Sequence, residues 1–210
     1  MTENSKAKTA LTFAEAFILI IGFQAVRLLM EKMINPQVSD GSFSRRMVSA
    51  AIMVLLAAAV YAYAQLRKTP LSVFPRPFTK RYIVFTCIAA VLLISAPSNF
   101  TGGYKAILLA VYGSIITPVY EELLFRGYLW NRLNKVLSKE IYTFIWTVAL
   151  FTVWHLGYMT ANIADGNLVA VAWKLAAGLG YGVVLGLVRL KAKNCYSTML
   201  VHGALNIFMI

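Results

Sequence analysis

The sequence predicts an all-α fold: a polytopic transmembrane helix bundle of about seven spans, within a range of six to eight. The first observation is composition, since 60% of the 210 residues are hydrophobic and only 13% are charged. Soluble domains carry about 45–50% apolar and about 25% charged residues. The second observation is that the apolar residues form runs close to the roughly 17–25 residues that a membrane span needs. The third is a mean hydropathy of +0.69.

Seven apolar segments, taken in chain order, account for the predicted spans. The first carries Glu15 and Arg27 near its ends, and the next two carry no charge. The fourth runs directly into a pair of glutamates, and the fifth is rich in aromatic residues. The sixth carries one charge, Lys174. We expect the first segment to be a retained span, because no small-x-small cleavage site follows the N-terminal residues. The segments are residues 11–30, 47–64, 82–96, 106–120, 141–156, 168–188 and 195–210.

Positive charge collects between these segments. The chain has 20 Lys+Arg and 8 Asp+Glu, a net charge of +12. Loops 65–81 and 189–194 carry cations and no acid, as cytoplasmic loops of membrane proteins do. We therefore expect a multi-pass cell-membrane protein, bacterial in composition, with these loops, stretch 126–140 and the N-terminus in the cytoplasm. The charges form no single basic stripe, so we expect the lipid bilayer as partner and no nucleic acid.

A pair of adjacent acids, Glu121 and Glu122, follows the fourth segment, and Arg126 comes four residues after the second acid. One hypothesis is a helix end reaching water, with a surface ion pair worth about 0.2–0.5 kcal/mol. Adjacent residues point about 100° apart on a helix, so only one acid can share the face of Arg126. A charge near the bilayer centre costs roughly 2.5–3.5 kcal/mol, which makes an intramembrane acid a candidate for function.

The histidines strengthen that candidate. The chain has two, His155 and His202, and both lie in predicted spans. Asn206 follows His202 by four residues, on the same helix face. A lone intramembrane histidine often serves only as a hydrogen bond between helices. Together with a glutamate, these side chains form either a general-base set with hydrogen-bond donors or a three-ligand metal set with one open position.

Three short motifs resemble one known family. Residues 121–126 (EELLFR) resemble the E-E-x-x-x-R motif of the CAAX-protease and bacteriocin-processing family, also called CPBP or Abi, of intramembrane proteases. Residues 151–155 (FTVWH) resemble its F-x-x-x-H motif, and residues 202–206 (HGALN) its H-x-x-x-N motif. We therefore expect a catalytic helical core over 104–210 and generic membrane spans over 1–103, within one membrane-embedded domain.

The resemblance implies an intramembrane endopeptidase with its catalytic site inside the bundle. It would hydrolyse a peptide bond of a membrane-associated peptide or protein. Carried onto this chain, the family pattern makes Glu121 the general base that activates a water, with His155 assisting it. His202 and Asn206 would stabilise the oxyanion as preorganised donors.

The same resemblance implies a structural or supporting role for Glu122 and Arg126. The family has been described both as metalloproteases and as metal-independent glutamate proteases. Glu121, His155 and His202 with a water would make an acceptable zinc site, so the cofactor is either none or a single divalent metal such as zinc. We favour the metal-independent hypothesis, because no closely spaced ligand pair is present.

Two other functions fit the same features. One is a non-proteolytic bacteriocin self-immunity or membrane scaffold protein. The other, more remote, is an ion-coupled transporter, in which intramembrane acids and histidines are also expected. Transporters often contain internal repeats, and none is visible in this sequence.

The predicted span boundaries carry one conflict. If the fourth span ends at residue 120 and the fifth begins at 141, Glu121 lies toward the inner leaflet and His155 toward the outer one. At 1.5 Å per residue their depths then differ by roughly 15 Å or more. A helix break at Pro118, or tilted and partly re-entrant segments, would bring the two together.

Overall fold

The bundle consists of helices that follow one another along the chain with short connections. The structure, a computed structural model, describes residues 3–38, 41–96 and 98–208. No strand occurs in these residues, which confirms the all-α prediction. A 3₁₀ turn, His155–Tyr158, extends the fifth long helix, and short helices cover Ser98–Thr101 and Thr160–Ala164. The long helices are α1 Glu3–Ile34, α2 Ser42–Leu66, α3 Lys80–Ile94, α4 Gly103–Asn134, α5 Glu140–Trp154, α6 Leu168–Ala192 and α7 Cys195–Ile207.

The number of helices that can cross a membrane is close to the prediction. Within the described ranges, five stretches are long and apolar enough: Ser5–Gln37, Ser42–Leu66, Gly103–Asn134, Glu140–Tyr158 and Leu168–Ala192. Helices α3 and α7 correspond to the remaining two predicted segments but have only 15 and 13 residues. The last two residues of the seventh predicted segment, 209 and 210, lie outside the described residues. The chain is thus a multi-pass helical bundle. The predicted count of about seven spans is roughly consistent with the five stretches found.

Helix α4 corrects the predicted end of the fourth segment. The helix does not end at residue 120 but continues through the acid pair to Asn134. Arg126, which we placed in a positively charged loop, is fully buried. It can lie inside the bundle because its Nη1 donates to Glu122 Oε1 at 2.9 Å. The hypothesis of a surface ion pair is therefore wrong, since neither partner is exposed.

The predicted break at Pro118 takes another form. Two π-helical stretches, Tyr112–Ile116 and Leu123–Leu129, flank the acid pair within α4. The first directly precedes the turn containing Pro118, which has no backbone N–H to donate. Thr117 Oγ1 donates to the Tyr112 carbonyl at 3.1 Å in that turn. The helix widens locally instead of breaking, as π-helical turns do at many functional sites.

The longer α4 removes the conflict in depth. The turn at residues 135–139 joins α4 to α5. Glu121 lies roughly 20 Å from that turn along α4, and His155 lies roughly 22 Å from it along α5. The expected mismatch of depth was therefore wrong, because it rested on ending the fourth span too early.

Helix α6 packs closely against α5. A Cβ added at Gly182 would lie 3.2 Å from Val148 Cγ1, and one at Gly178 would lie 3.0 Å from His155 Nδ1. Glycine lets helix backbones approach in a membrane, where small residues are favoured at helix contacts. The close approach brings the face of α6 to the end of α5, where His155 lies.

Helix α1 is tied to the bundle by a cluster of polar side chains around Glu15. Its Oε1 accepts from the Tyr63 and Tyr128 hydroxyls at 3.0 and 2.5 Å and from Arg67 Nε at 3.2 Å. Its Oε2 accepts from Arg132 Nη2 at 2.5 Å. We call these five residues the Glu15 cluster. It joins α1 to α2 and to the end of α4.

Candidate active site

A cavity of about 430 Å³ opens inside the bundle between α2, α4, α6, α7 and the turn after α5. The structure brings all four predicted catalytic residues to its wall: Glu121, His155, His202 and Asn206. Its volume is typical of sites for small ligands, which occupy roughly 300–1,000 Å³. Residues from three separate stretches of sequence therefore meet at one place.

Glu121 is held at one oxygen and free at the other. Its Oε1 accepts hydrogen bonds from Trp154 Nε1 at 3.0 Å and from the Tyr158 hydroxyl at 2.7 Å. Its Oε2 lies 3.9 Å from His202 Nε2, which is beyond hydrogen-bonding distance. Glu121 is only 2% exposed. Two neutral donors thus fix the carboxylate while its second oxygen stays available.

Glu122 has a different environment, although it is the adjacent residue. Its Oε1 accepts from Arg126 Nη1 and lies 3.0 Å from His202 Nδ1. Because an ionised carboxylate can only accept, His202 Nδ1 is the donor in that contact. Glu122 therefore orients the imidazole of His202 so that its Nε2 faces Glu121.

Arg126 is buried as the partner of Glu122. Its guanidinium carbon lies 4.2 Å above the centre of the Phe151 ring, and Nη2 donates to the Gly182 carbonyl at 3.3 Å. A charge this deep in a membrane protein is tolerated when it is paired and hydrogen-bonded. The supporting role predicted for Glu122 and Arg126 is compatible with this position behind His202.

His155 is oriented by the backbone of its own helix. Its Nδ1 lies 2.8 Å from the Phe151 carbonyl, which accepts, so Nδ1 carries the hydrogen. The ring packs edge-on against Phe151 and Tyr158, with centroids 4.8 and 5.9 Å apart. In the neutral ring, Nε2 is therefore the nitrogen able to accept a proton.

Asn206 contacts the backbone of α4. Its Nδ2 donates to the Gly113 carbonyl at 2.7 Å, in the π-helical stretch that precedes Pro118. The amide has a second N–H beyond the one used there. Asn206 therefore joins α7 to α4 and also lines the cavity.

The residues that hold Glu121 were not predicted from the sequence. Trp154 and Tyr158 donate to its carboxylate, and Gln24 and Arg27 of α1 contact the segment that carries them. Trp154 and Tyr158 are close to His155 in sequence, which was the available signal. Aromatic residues near span ends are common at membrane interfaces, so their presence there was not distinctive.

The three residues of the possible metal site, Glu121, His155 and His202, are not placed to share a metal ion. Among the described residues, no group of three or more His, Cys, Asp or Glu side chains is placed to hold a metal ion. Glu121 and His202 approach each other, and His155 has Nε2 as its free ring nitrogen because Nδ1 is bonded to a backbone carbonyl. Zinc requires ligand atoms about 2.0–2.2 Å from the ion. As placed, the three side chains do not meet around one ion, and we derive no step through a metal.

A family model described as type II CAAX prenyl endopeptidase, Rce1-like, matches residues 103–208, half of the chain. The chain belongs to this family. The predicted resemblance to the CAAX-protease-like group is thereby confirmed. At the level of the family, the chain is a membrane-embedded endopeptidase. Such an enzyme lies in a lipid bilayer and acts on a membrane-associated substrate. No curated protein and no solved structure matched the chain.

Proposed function

We propose that this protein is an intramembrane endopeptidase in which Glu121 activates a water molecule. The water attacks a peptide bond of a membrane-associated peptide or protein. The observation that carries the proposal is the asymmetry of the Glu121 carboxylate. One oxygen is fixed by two neutral donors, and the other faces the cavity and the imidazole of His202.

The separation of Glu121 Oε2 and His202 Nε2 suits a bound water. Their distance is 3.9 Å. A water about 2.8 Å from each atom completes two hydrogen bonds of ordinary length across that gap. Such a water lies beside the proposed base and within the cavity, which is the position that a hydrolytic nucleophile requires.

The reaction then proceeds in two proton transfers. Glu121 takes a proton from the water as the oxygen attacks the carbonyl carbon, and a tetrahedral intermediate forms. The C–N bond breaks when that proton passes to the leaving amine, with His155 Nε2 as the assisting relay. The products are one carboxylic acid and one amine, which together contain the atoms of the water consumed.

His202 and Asn206 are the proposed donors to the oxyanion. As an imidazolium, His202 donates from both nitrogens, so Nε2–H is free for the intermediate while Nδ1 stays on Glu122. Asn206 has a second N–H in addition to the one bonded to Gly113. Donors that are already fixed stabilise the developing charge without reorganisation.

For the substrate, we propose only a chemical class. The family description names CAAX prenyl endopeptidases. For this chain we propose a membrane-associated peptide or protein, with peptide precursors, bacteriocin leaders or membrane-anchored regulators as the expected bacterial forms. Bacterial origin and a cytoplasmic N-terminus remain predictions from composition and loop charge.

Mass spectrometry of newly formed peptide termini tests the proposal. Membranes containing wild type, Glu121→Gln or Glu15→Gln are compared. Glu15→Gln is the matched control, because it also replaces one oxygen of a carboxylate that accepts hydrogen bonds from tyrosine hydroxyls, but outside the cavity wall. We expect termini that form with wild type and Glu15→Gln and are absent with Glu121→Gln. Termini that persist with Glu121→Gln contradict the proposal, and a phenotype that survives this substitution indicates a scaffold or immunity protein.

A further inference from the structure

Helix α1 contacts the active site although it lies outside the region that matches the family. Gln24 Nε2 donates to the Trp154 carbonyl at 2.8 Å, and Arg27 Nη2 donates to the Gly157 carbonyl at 2.7 Å. A Cβ at Gly157 would overlap Gln24 Nε2, so the absence of a side chain at Gly157 leaves room for Gln24. Two side chains of α1 are thus bonded to the backbone that carries Trp154, His155 and Tyr158.

These contacts satisfy backbone groups that need a partner. The last carbonyls of a helix have no donor within the helix. Helix α5 ends at Trp154, and the 3₁₀ turn after it ends at Tyr158. A cation near a helix C-terminus also interacts favourably with the helix dipole. Gln24 and Arg27 therefore cap the end of α5 from another helix.

Arg27 also contacts Tyr158 directly. Its guanidinium carbon lies 4.4 Å from the centre of the Tyr158 ring. The guanidinium plane is fixed on its other edges, since Nε donates to Gln24 Oε1 at 2.8 Å and Nη1 donates to both oxygens of Glu31 at 3.0 and 3.1 Å. Arg27 is only 4% exposed. A charged plane held this firmly restricts where the phenol ring can lie.

The phenol ring connects Arg27 to the proposed base. The Tyr158 hydroxyl donates to Glu121 Oε1 at 2.7 Å. We propose that Arg27, together with Gln24, is a positioning residue for Glu121 that acts through Tyr158 and the end of α5. This inference rests on the proposed role of Glu121 as the base. It extends the active site to a helix that the three motifs do not include.

The test compares Arg27→Gln and Arg27→Lys with Arg132→Gln. Arg132 is the matched control, because it also bonds α1 to the bundle, through Glu15, but away from the cavity. We expect Arg27→Gln to lower kcat per folded molecule by about 10- to 100-fold, with little change in KM, because small displacements of catalytic groups have effects of this size. Arg27→Lys should recover part of the loss by keeping the cation above the ring. Arg132→Gln should lower Tm and leave kcat unchanged.

A double-mutant cycle with Tyr158→Phe separates positioning from general stability. If Arg27 acts through the Tyr158 hydroxyl, the double variant loses less than the product of the two single losses. The inference is overturned if the two single losses of kcat simply multiply in the double variant. It is also overturned if Arg27→Gln has a wild-type kcat and only a lower Tm. Where Arg27→Gln does not fold, the same cycle is measured with Arg27→Lys.

Glu121→Gln in the same assay distinguishes the two possible failures. An active Glu121→Gln variant refutes the proposed function and this inference with it. If Glu121→Gln is inactive while the Arg27 variants keep a wild-type kcat, only the role of Arg27 is refuted.

Discussion

Glu15 and Glu121 both lie among tyrosine hydroxyls inside the bundle, but their oxygens are used differently. Both oxygens of Glu15 accept hydrogen bonds, and two of the donors are the guanidinium groups of Arg67 and Arg132. Glu121 accepts from Trp154 and Tyr158 on one oxygen only. Both oxygens of Glu15 are occupied by protein donors, so neither is open to a water. The second oxygen of Glu121 has no protein donor and can accept a hydrogen bond from a water in the cavity.

Glu122 shows that one residue along the helix is enough to change the role. It is paired with buried Arg126, as Glu15 is paired with arginines, and it does not line the cavity. Its contact with His202 nevertheless places it behind the proposed catalytic pair, Glu121 and His202. The adjacent acids of α4 therefore divide into the proposed base and an acid that orients His202.

After Glu121 itself, the largest effects are expected at the two histidines, a residue type that the Glu15 cluster lacks. We expect His202→Ala and His155→Ala each to lower kcat by about 100- to 10,000-fold, the range for general acid–base groups. Tyr63→Phe is the control, since it removes one hydrogen bond from Glu15. Turnover and Tm are measured for the purified variants. Wild-type turnover in either alanine variant excludes that histidine from the mechanism.

A smaller effect is expected at Asn206, which has a structural contact with Gly113 and a proposed role as oxyanion donor. Asn206→Ala should lower kcat by about 100- to 1,000-fold, as the loss of an oxyanion donor does, with KM little changed. Tm should also fall, because the Gly113 carbonyl loses its donor. A lower Tm with an unchanged kcat per folded molecule shows that Asn206 only joins helices.

The sequence predicted the fold through its composition and apolar runs, and it predicted the four cavity residues through three motifs. It misplaced the end of the fourth span, because Arg126 was treated as a residue facing water. A single sequence does not reveal that Glu122 and Phe151 enclose that charge. This error alone produced the apparent mismatch in depth between Glu121 and His155.

The contribution of α1 to the site could not be predicted from the sequence, for a related reason. Arg27 lies near the end of a predicted span, where charged residues commonly face the interface. Its contacts with Gly157 and Tyr158 join residues about 130 positions apart in sequence, and no local pattern encodes such a pairing.

The smallest effects are expected at the two donors that hold Glu121. Trp154→Phe and Tyr158→Phe should each lower kcat by about 10- to 100-fold, because each leaves the carboxylate with one donor in place of two. Tyr128→Phe removes the equivalent tyrosine bond from Glu15 and should leave kcat unchanged. Equal losses in Tyr128→Phe and Tyr158→Phe would mean that the two carboxylates do not differ in function.

The most direct test of the central claim is the turnover of purified Glu121→Gln and Glu15→Gln, measured in parallel with their Tm on one substrate. Glutamine keeps an acceptor oxygen for Trp154 and Tyr158 but cannot take a proton from water. We expect Glu121→Gln to have a Tm close to that of wild type and no measurable turnover. We expect Glu15→Gln to have a lower Tm and a wild-type kcat per folded molecule. Turnover in folded Glu121→Gln would show that Glu121 is not the base.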